Sequence, residues 1–182
     1  MNSSSARDVV RPLLQTRQVR EYTSEPVDDD ALHAIADVAR WSGSSTNSQP
    51  WRFVVIRDPG TLRAIHDVGL PSTRSLATAP AAIAIVMPQE PGRGLMHGYD
   101  EGRAAERILV AASMLGLGAG IAWIGSGGRP AVAQRLGLPD DRYVRTVVAI
   151  GHPSEAAKRP KSARGGARLP REDTVFEDRW PA

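Results

Sequence analysis

The sequence predicts a single α+β domain, and two patterns support that prediction. Segments whose apolar residues recur at helical spacing alternate with short apolar runs of strand length. Residues 152–182 are too polar and too rich in proline and glycine to form a second domain, so we interpret them as a C-terminal arm of a domain spanning 1–182. We therefore expect about four strands in one sheet, with helices on both faces.

Helices are predicted where apolar side chains repeat every three or four residues. Asp28 lies where an acidic residue favours the positive end of a helix dipole, and Asp58 precedes Pro59 as an N-cap precedes the first helical position. The predicted helices span residues 6–15, 28–41, 59–67, 100–115 and 130–136.

Strands are predicted at residues 51–56, 81–87 and 144–150, and a short strand at 118–125 enters a glycine-rich turn. The run AAIAIVM at 81–87 is uninterrupted by polar residues, which is typical of a strand covered on both faces.

The composition restricts the chemistry. The chain has 182 residues, of which 41% are hydrophobic and 24% charged, and it contains no cysteine. This excludes disulfides, cysteine-ligated zinc, iron–sulfur clusters and thiol nucleophiles. The four histidines are scattered, so no metal site is expected. No apolar run approaches the ~18 residues of a membrane span, and no signal peptide is evident, so we expect a soluble cytoplasmic protein without a membrane partner.

The net charge of +3 has a local origin, since six Lys or Arg residues and no acid lie between Lys158 and Arg171. A nucleic-acid or membrane patch, a phosphate-binding arm and a solvated tail all agree with this run. Aromatic residues do not interleave with the basic ones, which argues against nucleic acid.

The glycines of GLGAGIAWIG at 116–125 do not form a dinucleotide fingerprint. That fingerprint lies between a strand and a helix, whereas these glycines follow a helix and precede a strand. The chain also lacks a GxxxxGK phosphate loop and a GxSxG nucleophile elbow.

A longer pattern runs through residues 16–56: an R-x-V-R-x-aromatic segment, then P-V, an amphipathic helix, SSTNSQPW and a strand. Taken in order and spacing, this pattern resembles the opening of the nitroreductase family. APAAIAIV resembles the family's second strand, and DEGRAAERILVAASMLGLGAGIAWIG resembles its central helix and flavin-face strand. LGLP, VVAIGHP and ARLP resemble later elements, so the resemblance covers nearly the whole chain.

The resemblance implies a nitroreductase-like fold with a mixed, mostly antiparallel central sheet flanked by helices, and a C-terminal arm exchanged in a homodimer. It also implies an FMN-dependent oxidoreductase that transfers hydride from NAD(P)H to a small oxidised acceptor by a ping-pong mechanism. Nitroaromatics, quinones and activated alkenes are the acceptors expected. No catalytic side chain is implied, because the cofactor carries the chemistry and the protein supplies orientation and electrostatics.

The site residues are assigned by the same resemblance. Arg17, Arg20 and Arg168 suit the FMN phosphate, and a guanidinium at Arg20 would stabilise the negative charge of reduced flavin. The backbone N–H of Gly125 corresponds to the donor to flavin N5, and a glycine there allows close approach. The full cofactor-binding set is Thr16, Arg17, Gln18, Arg20, Gly43, Ser44, Ser45, Asn47, Gln49, Trp123, Ile124, Gly125, Ser126 and Arg168, with Ser44, Ser45 and Asn47 reaching FMN from the second subunit.

The chain departs from the family at three positions. Thr16 and Gln18 stand where the family usually has Arg and Ser, and Gly166 stands where larger relatives have Lys. Phosphate binding is then weaker, or it shifts to Arg17 and the basic residues 158–164.

Other functions stay open at this stage. Within the fold, a flavin-consuming dimethylbenzimidazole synthase and an iodotyrosine deiodinase are alternatives. Outside it, the alternative is a non-catalytic protein that binds flavin or nucleic acid.

Overall fold

A computed structural model describes residues 5–159 and 168–180. Gly166 and the other residues of 160–167, which fall in the predicted arm and its basic run, lie outside the described residues. The described helices are α1 (Ala6–Val9), α2 (Arg11–Gln15), α3 (Asp29–Arg40), α4 (Pro59–Val68), α5 (Gly94–Met114), α6 (Arg129–Arg135) and α7 (Glu155–Lys158). The strands are β1 (Arg52–Ile56), β2 (Ala81–Pro88), β3 (Gly118–Trp123) and β4 (Arg142–Gly151), and 3-10 turns span Ser45–Asn47, Arg74–Ala77 and Arg171–Asp173.

The four strands form one sheet in the order β1-β2-β4-β3, and each neighbouring pair is antiparallel. All eight residues of β2 are buried, as its uninterrupted apolar run predicts. One core cluster joins α3 and α5 to one face of the sheet, and the second joins α4 and α6 to the other. The expected α+β class, with helices on both faces, is confirmed.

Several element boundaries differ from the sequence predictions, among them the following three. The predicted helix at 6–15 is two short helices that meet at Val10, because the proline at position 12 cannot continue an α-helix from the preceding turn. Helix α5 begins at Gly94, six residues before the predicted start at Asp100. Strand β4 begins at Arg142 rather than at 144, because a bulge interrupts the alternation that marks a strand.

Strand β3 is the edge of the sheet, and an N-terminal segment lies along its open side. Gln18 forms a parallel bridge with Ala119, and Tyr22 forms an antiparallel bridge with Pro153. An uncovered strand edge exposes unpaired N–H and C=O groups, so this segment satisfies part of an edge that would otherwise be open.

Among the described residues, no helix combines the length and apolar character needed to cross a membrane.

Candidate functional site

The segment at 16–20 is fastened to strand β3 by main-chain and side-chain bonds. Val19 N–H donates to the Ala119 carbonyl at 2.8 Å, and the Ile121 N–H donates to Gln18 Oε1 at 3.2 Å. Gln18 thus supplies an acceptor that the strand edge would otherwise lack. Thr16 uses its hydroxyl locally, donating to the Pro12 carbonyl at 3.0 Å.

The buried side chain of Tyr22 also holds the segment at 16–20 in place. Its buried hydroxyl is a donor that lies 2.7 Å from the Val19 carbonyl and 3.2 Å from the Ala149 carbonyl of β4. Burial raises the pKa of the Tyr22 phenol well above its ordinary value, and nearby Arg20 lowers that pKa by a smaller amount. The phenol therefore stays neutral and keeps its proton as a donor.

The predicted cationic residues have different surroundings. Arg17 Nη2 donates to the carbonyls of Ala157 and Lys158, each at 3.2 Å, so its guanidinium is fixed against helix α7. Arg20 is exposed and forms no salt bridge with the described residues. Arg168, the first described residue after 160–167, is also exposed. The charge on Arg20 is therefore available to a ligand.

The turn at 123–126 continues β3 beyond the sheet. Ile124 is fully buried and its N–H donates to the Arg145 carbonyl at 2.7 Å, whereas the Trp123 side chain is 48% exposed. Gly125 and Ser126 are exposed. The Gly125 N–H donates to no group in the described parts of the chain, and a Cβ built on Gly125 meets no atom within 4 Å.

The loop at 43–49 is held on helix α5 instead. The Ser45 N–H donates to the Asp100 carboxylate, at 3.1 Å from Oδ1 and 3.2 Å from Oδ2. Ser44 Oγ accepts from the Gln49 N–H at 2.9 Å, and Gln49 Nε2 donates to Asn47 Oδ1 at 3.2 Å.

Two further features concern the backbone of this loop. Asn47 and Gln49 have φ of 55° and 47°, so the backbone takes the left-handed region at both residues. At Gly43 a Cβ would overlap the Arg103 guanidinium, so the glycine leaves room for that side chain of helix α5 beside the loop.

The structure brings the predicted residues into two groups. Thr16–Arg20 contains the residues that bond to β3, and Trp123–Ser126 begins at the end of that strand; together they form the first group. The loop at 43–49 forms the second, and in the described residues no hydrogen bond or salt bridge joins it to the first group.

Sequence reasoning missed the residues that hold these groups. Asp100, 55 residues from Ser45, and Arg145, on the neighbouring strand, were absent from the predicted set. The one available signal was their type, since a carboxylate and a guanidinium need partners when they are buried.

Fold and site together define an α+β protein with an open turn at the end of an edge strand and an exposed arginine on the segment that bonds to that strand. Comparisons with known proteins agree with that class. Residues 13–99 match the Nitroreductase family. An Archaeoglobus fulgidus protein, provisionally named NADH dehydrogenase/NAD(P)H nitroreductase, is 29% identical over 154 residues, which are 81% of this chain and 87% of the relative.

Two other similarities extend over most of the chain. The 5,6-dimethylbenzimidazole synthase of Rhodospirillum rubrum is 27% identical over 192 residues, covering 89% of this chain and 90% of the relative. The crystal structure of an FMN-dependent nitroreductase from Clostridium difficile superposes with a TM-score of 0.79 at 22% identity, covering 93% of this chain and 98% of the other. The chain has the nitroreductase-like fold, and its sequence is similar to a nitroreductase-family model over residues 13–99 and to the Archaeoglobus fulgidus relative over most of its length.

Proposed function

We propose that this protein is an FMN-dependent oxidoreductase that transfers hydride from NAD(P)H to a small oxidised acceptor by a ping-pong mechanism. Nitroaromatics, quinones and activated alkenes are the proposed acceptors. The observation that supports this most directly is the open main chain at Gly125, whose N–H has no partner in the described residues and whose Cβ position has no atom within 4 Å.

A flat ring system fits this turn. The half-exposed Trp123 offers an apolar surface, and Gly125 offers a backbone donor that no side chain shields. Aromatic faces pack against flat ligands, and a glycine lets a ligand reach the main chain. These residues therefore fit the isoalloxazine of FMN.

Arginine side chains suited to the phosphate of FMN are also present. Arg17 and Arg20 flank the residues that bond to β3, and the Arg20 guanidinium has no carboxylate partner among the described residues. We propose that Arg17, Arg20 and Arg168 share the phosphate and the pyrimidine edge, and that Thr16 and Gln18 line the segment between them.

When bound, FMN supplies hydride acceptance and donation at its N5 atom. The chain's own residues orient the ring and fix charge around it. The Gly125 N–H is the proposed donor to N5, and Arg20 is the proposed cation beside the edge that becomes negative on reduction. Correct positioning of the nicotinamide and of the acceptor over the ring is the main catalytic contribution expected from the protein.

We also propose a homodimer, in which the loop at 43–49 completes the partner's site. Loop and turn are fixed to different elements, and apolar side chains are exposed on α1, α2 and α5. Exposed apolar residues gathered on neighbouring elements are typical of protein interfaces. They are Val9, Val10, Leu13, Leu14, Leu95, Tyr99 and Met114.

The primary test is purification followed by flavin analysis and reconstitution with FMN. We expect a yellow protein. Under anaerobic conditions without an acceptor, NADH or NADPH should reduce the bound FMN once, and with an acceptor from a test panel the oxidation of NADH or NADPH should become catalytic. A colourless protein that added FMN does not bind would overturn the proposal.

A matched pair of arginine variants tests the electrostatic part. Arg20→Met should weaken FMN binding about tenfold or more and lower the flavin midpoint potential, because the reduced ring loses a nearby cation. Arg63→Met removes an exposed arginine from helix α4 and serves as the control with the same charge change. Equal effects of the two variants on FMN affinity and midpoint potential would show that Arg20 does not lie beside the flavin ring.

A complementation experiment tests the composite site. Gly125→Pro removes the proposed N5 donor, and Ser45→Pro removes the N–H that Asp100 binds in the loop. Each variant alone should be inactive. When both are co-expressed, a dimer that combines the two chains contains one intact site, so activity should return. If activity stays absent while mixed dimers form, each site is built from one chain only.

A second candidate function has support from one similarity, that to the dimethylbenzimidazole synthase over 89% of this chain. Such an enzyme would consume reduced flavin, so aerobic incubation with excess reduced FMN and analysis of the products separates it from a reductase. Release of iodide from iodotyrosine under anaerobic reduction would instead identify a deiodinase. A protein that binds no FMN but shifts DNA at moderate salt would favour the nucleic-acid alternative.

A further inference from the structure

A buried ion pair lies behind the turn at 123–126. Glu101 of helix α5 is 2% exposed, and its Oε2 accepts from Arg145 Nε at 2.9 Å and from Arg145 Nη2. The other oxygen of Glu101, Oε1, has no partner in the described residues. Desolvation makes a buried pair a weak source of stability, so its presence in this core calls for another explanation.

The backbone of β4 places Arg145 for this contact. Ile85 of β2 pairs with Thr146 and the next residue, Val86, pairs with Val144, so Arg145 is the extra residue of a β-bulge. A bulge redirects a side chain relative to the regular alternation of the strand. Here it turns the guanidinium toward helix α5 while the flanking valine stays in the core on the opposite face.

Arg145 contacts the turn in two ways. Its carbonyl accepts from the Ile124 N–H at 2.7 Å, which fixes the main chain one residue before Gly125. Its guanidinium carbon lies 5.2 Å from the centroid of the Trp123 ring, within the range of a cation–π contact. One bulged residue thus holds both the backbone and the exposed aromatic side chain of the turn.

We propose that Arg145 is a positioning residue for the 123–126 turn, and that Glu101 holds the Arg145 guanidinium against Trp123. The benefit to catalysis rests on the proposed function, because it assumes that this turn carries the flavin. Arg145 acts through Trp123 and Ile124, and the buried carboxylate of Glu101 holds its guanidinium in place.

The test begins with the apo-protein, so that it does not depend on flavin. Acrylamide quenching of Trp123 is obtained as the difference between each variant and the same variant carrying Trp123→Phe. Arg145→Met should raise the quenching constant of Trp123 about twofold, because one face of the flat ring loses its cover. Arg145→Lys should not restore the wild-type value, since an ammonium lacks the planar fork that binds Glu101 and stacks on the indole.

Two further variants complete the design. Glu101→Gln keeps the shape of the side chain but removes the charge that fixes Arg145, and it should raise Trp123 quenching less than Arg145→Met does. Arg135→Met breaks the exposed pair between Arg135 and Asp58, at 3.2 Å, and should leave Trp123 unchanged. In the holoprotein, Arg145→Met should weaken FMN binding about tenfold relative to Arg135→Met, as expected when a binding surface loses its preorganisation.

Unchanged Trp123 quenching in folded Arg145→Lys and Glu101→Gln proteins would overturn the proposal, and these two variants carry the test if Arg145→Met does not fold. Changed quenching together with weaker FMN binding supports it. Changed quenching in a chain whose wild type binds no FMN supports the positioning of the turn and overturns the proposed function, so the two failures are distinguishable.

Discussion

A methyl group at position 120 would test how the N-terminal segment is seated on β3. In Gly120→Ala, the new Cβ would overlap the Val19 carbonyl oxygen and lie 3.1 Å from its carbon and 3.2 Å from Tyr22 Oη. The obstructing atoms belong to a backbone and to a buried ring, so neither can simply rotate away. The segment at 17–22 has to move outward, or the edge strand has to shift.

The cost follows from the contacts that such a movement breaks. They are the bonds from Val19 N–H to Ala119 at 2.8 Å, from Ile121 N–H to Gln18 at 3.2 Å and from Tyr22 to Val19 at 2.7 Å. At about 1 kcal/mol each, their loss amounts to about 3 kcal/mol. The smaller conformational entropy of alanine in the unfolded chain returns less than about 1 kcal/mol.

The matched variant is Gly125→Ala, the same chemical change five residues further along. No atom lies within 4 Å of its Cβ, so the stability of the apo-protein should stay within about 1 kcal/mol of wild type. The methyl group would, however, occupy the space proposed for the flavin ring. We therefore expect FMN affinity to fall about tenfold or more, since a ligand held by close backbone approach loses its fit.

The assays are thermal denaturation of the two apo-proteins and equilibrium titration with FMN. A loss of about 2–3 kcal/mol corresponds to a decrease in Tm of about 4–12 °C for a chain of this size. Gly120→Ala should show this decrease and Gly125→Ala should not. A Gly120→Ala protein with the same Tm as the wild type would refute the packing argument. A Gly125→Ala protein with wild-type FMN affinity would refute the proposed contact at the turn.

Two further predictions concern residues that hold the site in place. Because burial raises the pKa of Tyr22, the folded state keeps its phenol neutral, and the contribution of this group to stability should be constant below about pH 10 and decline above it. In urea titrations, Tyr22→Phe should lower the free energy of unfolding by about 1 kcal/mol at neutral pH and show a flatter decline at alkaline pH. Asp100→Ala leaves the Ser45 N–H without its acceptor, so it should lower unfolding free energy by about 1–3 kcal/mol and weaken FMN binding. Asp37→Ala, which breaks an exposed pair with Arg40, is its control and should leave FMN binding unchanged.

The order of helices and strands could be predicted because it depends on local periodicity. The run at 81–87 has no polar residue, and β2 lies at the centre of the sheet with every residue buried. The start of α5 could not be predicted in the same way. Residues 94–99 include two glycines, and their helical state depends on tertiary contacts, among them the burial of His97.

The candidate site was predictable only in part. The residues that resemble a known family could be named because they form ordered motifs at fixed spacing. The residues that hold them could not, because their partners are distant in sequence: Asp100 reaches Ser45, and Glu101 reaches Arg145, 44 residues away. The bulge that turns Arg145 inward has no sequence signature, since it consists of one extra residue in an ordinary strand.

The position of the open turn follows from the geometry of an edge strand. Along β3, alternate N–H groups point away from the sheet, and the chain supplies an acceptor for each in turn. Ile121 N–H donates to Gln18, and Trp123 N–H donates to the Ser72 carbonyl at 3.4 Å, whereas Ile124 N–H points inward to Arg145. Gly125 follows beyond the end of β3, and its N–H has no partner in the described residues. An acceptor atom of a ligand at this point would give the Gly125 N–H a partner, which agrees with the position that the family resemblance implies for the redox-active nitrogen of flavin.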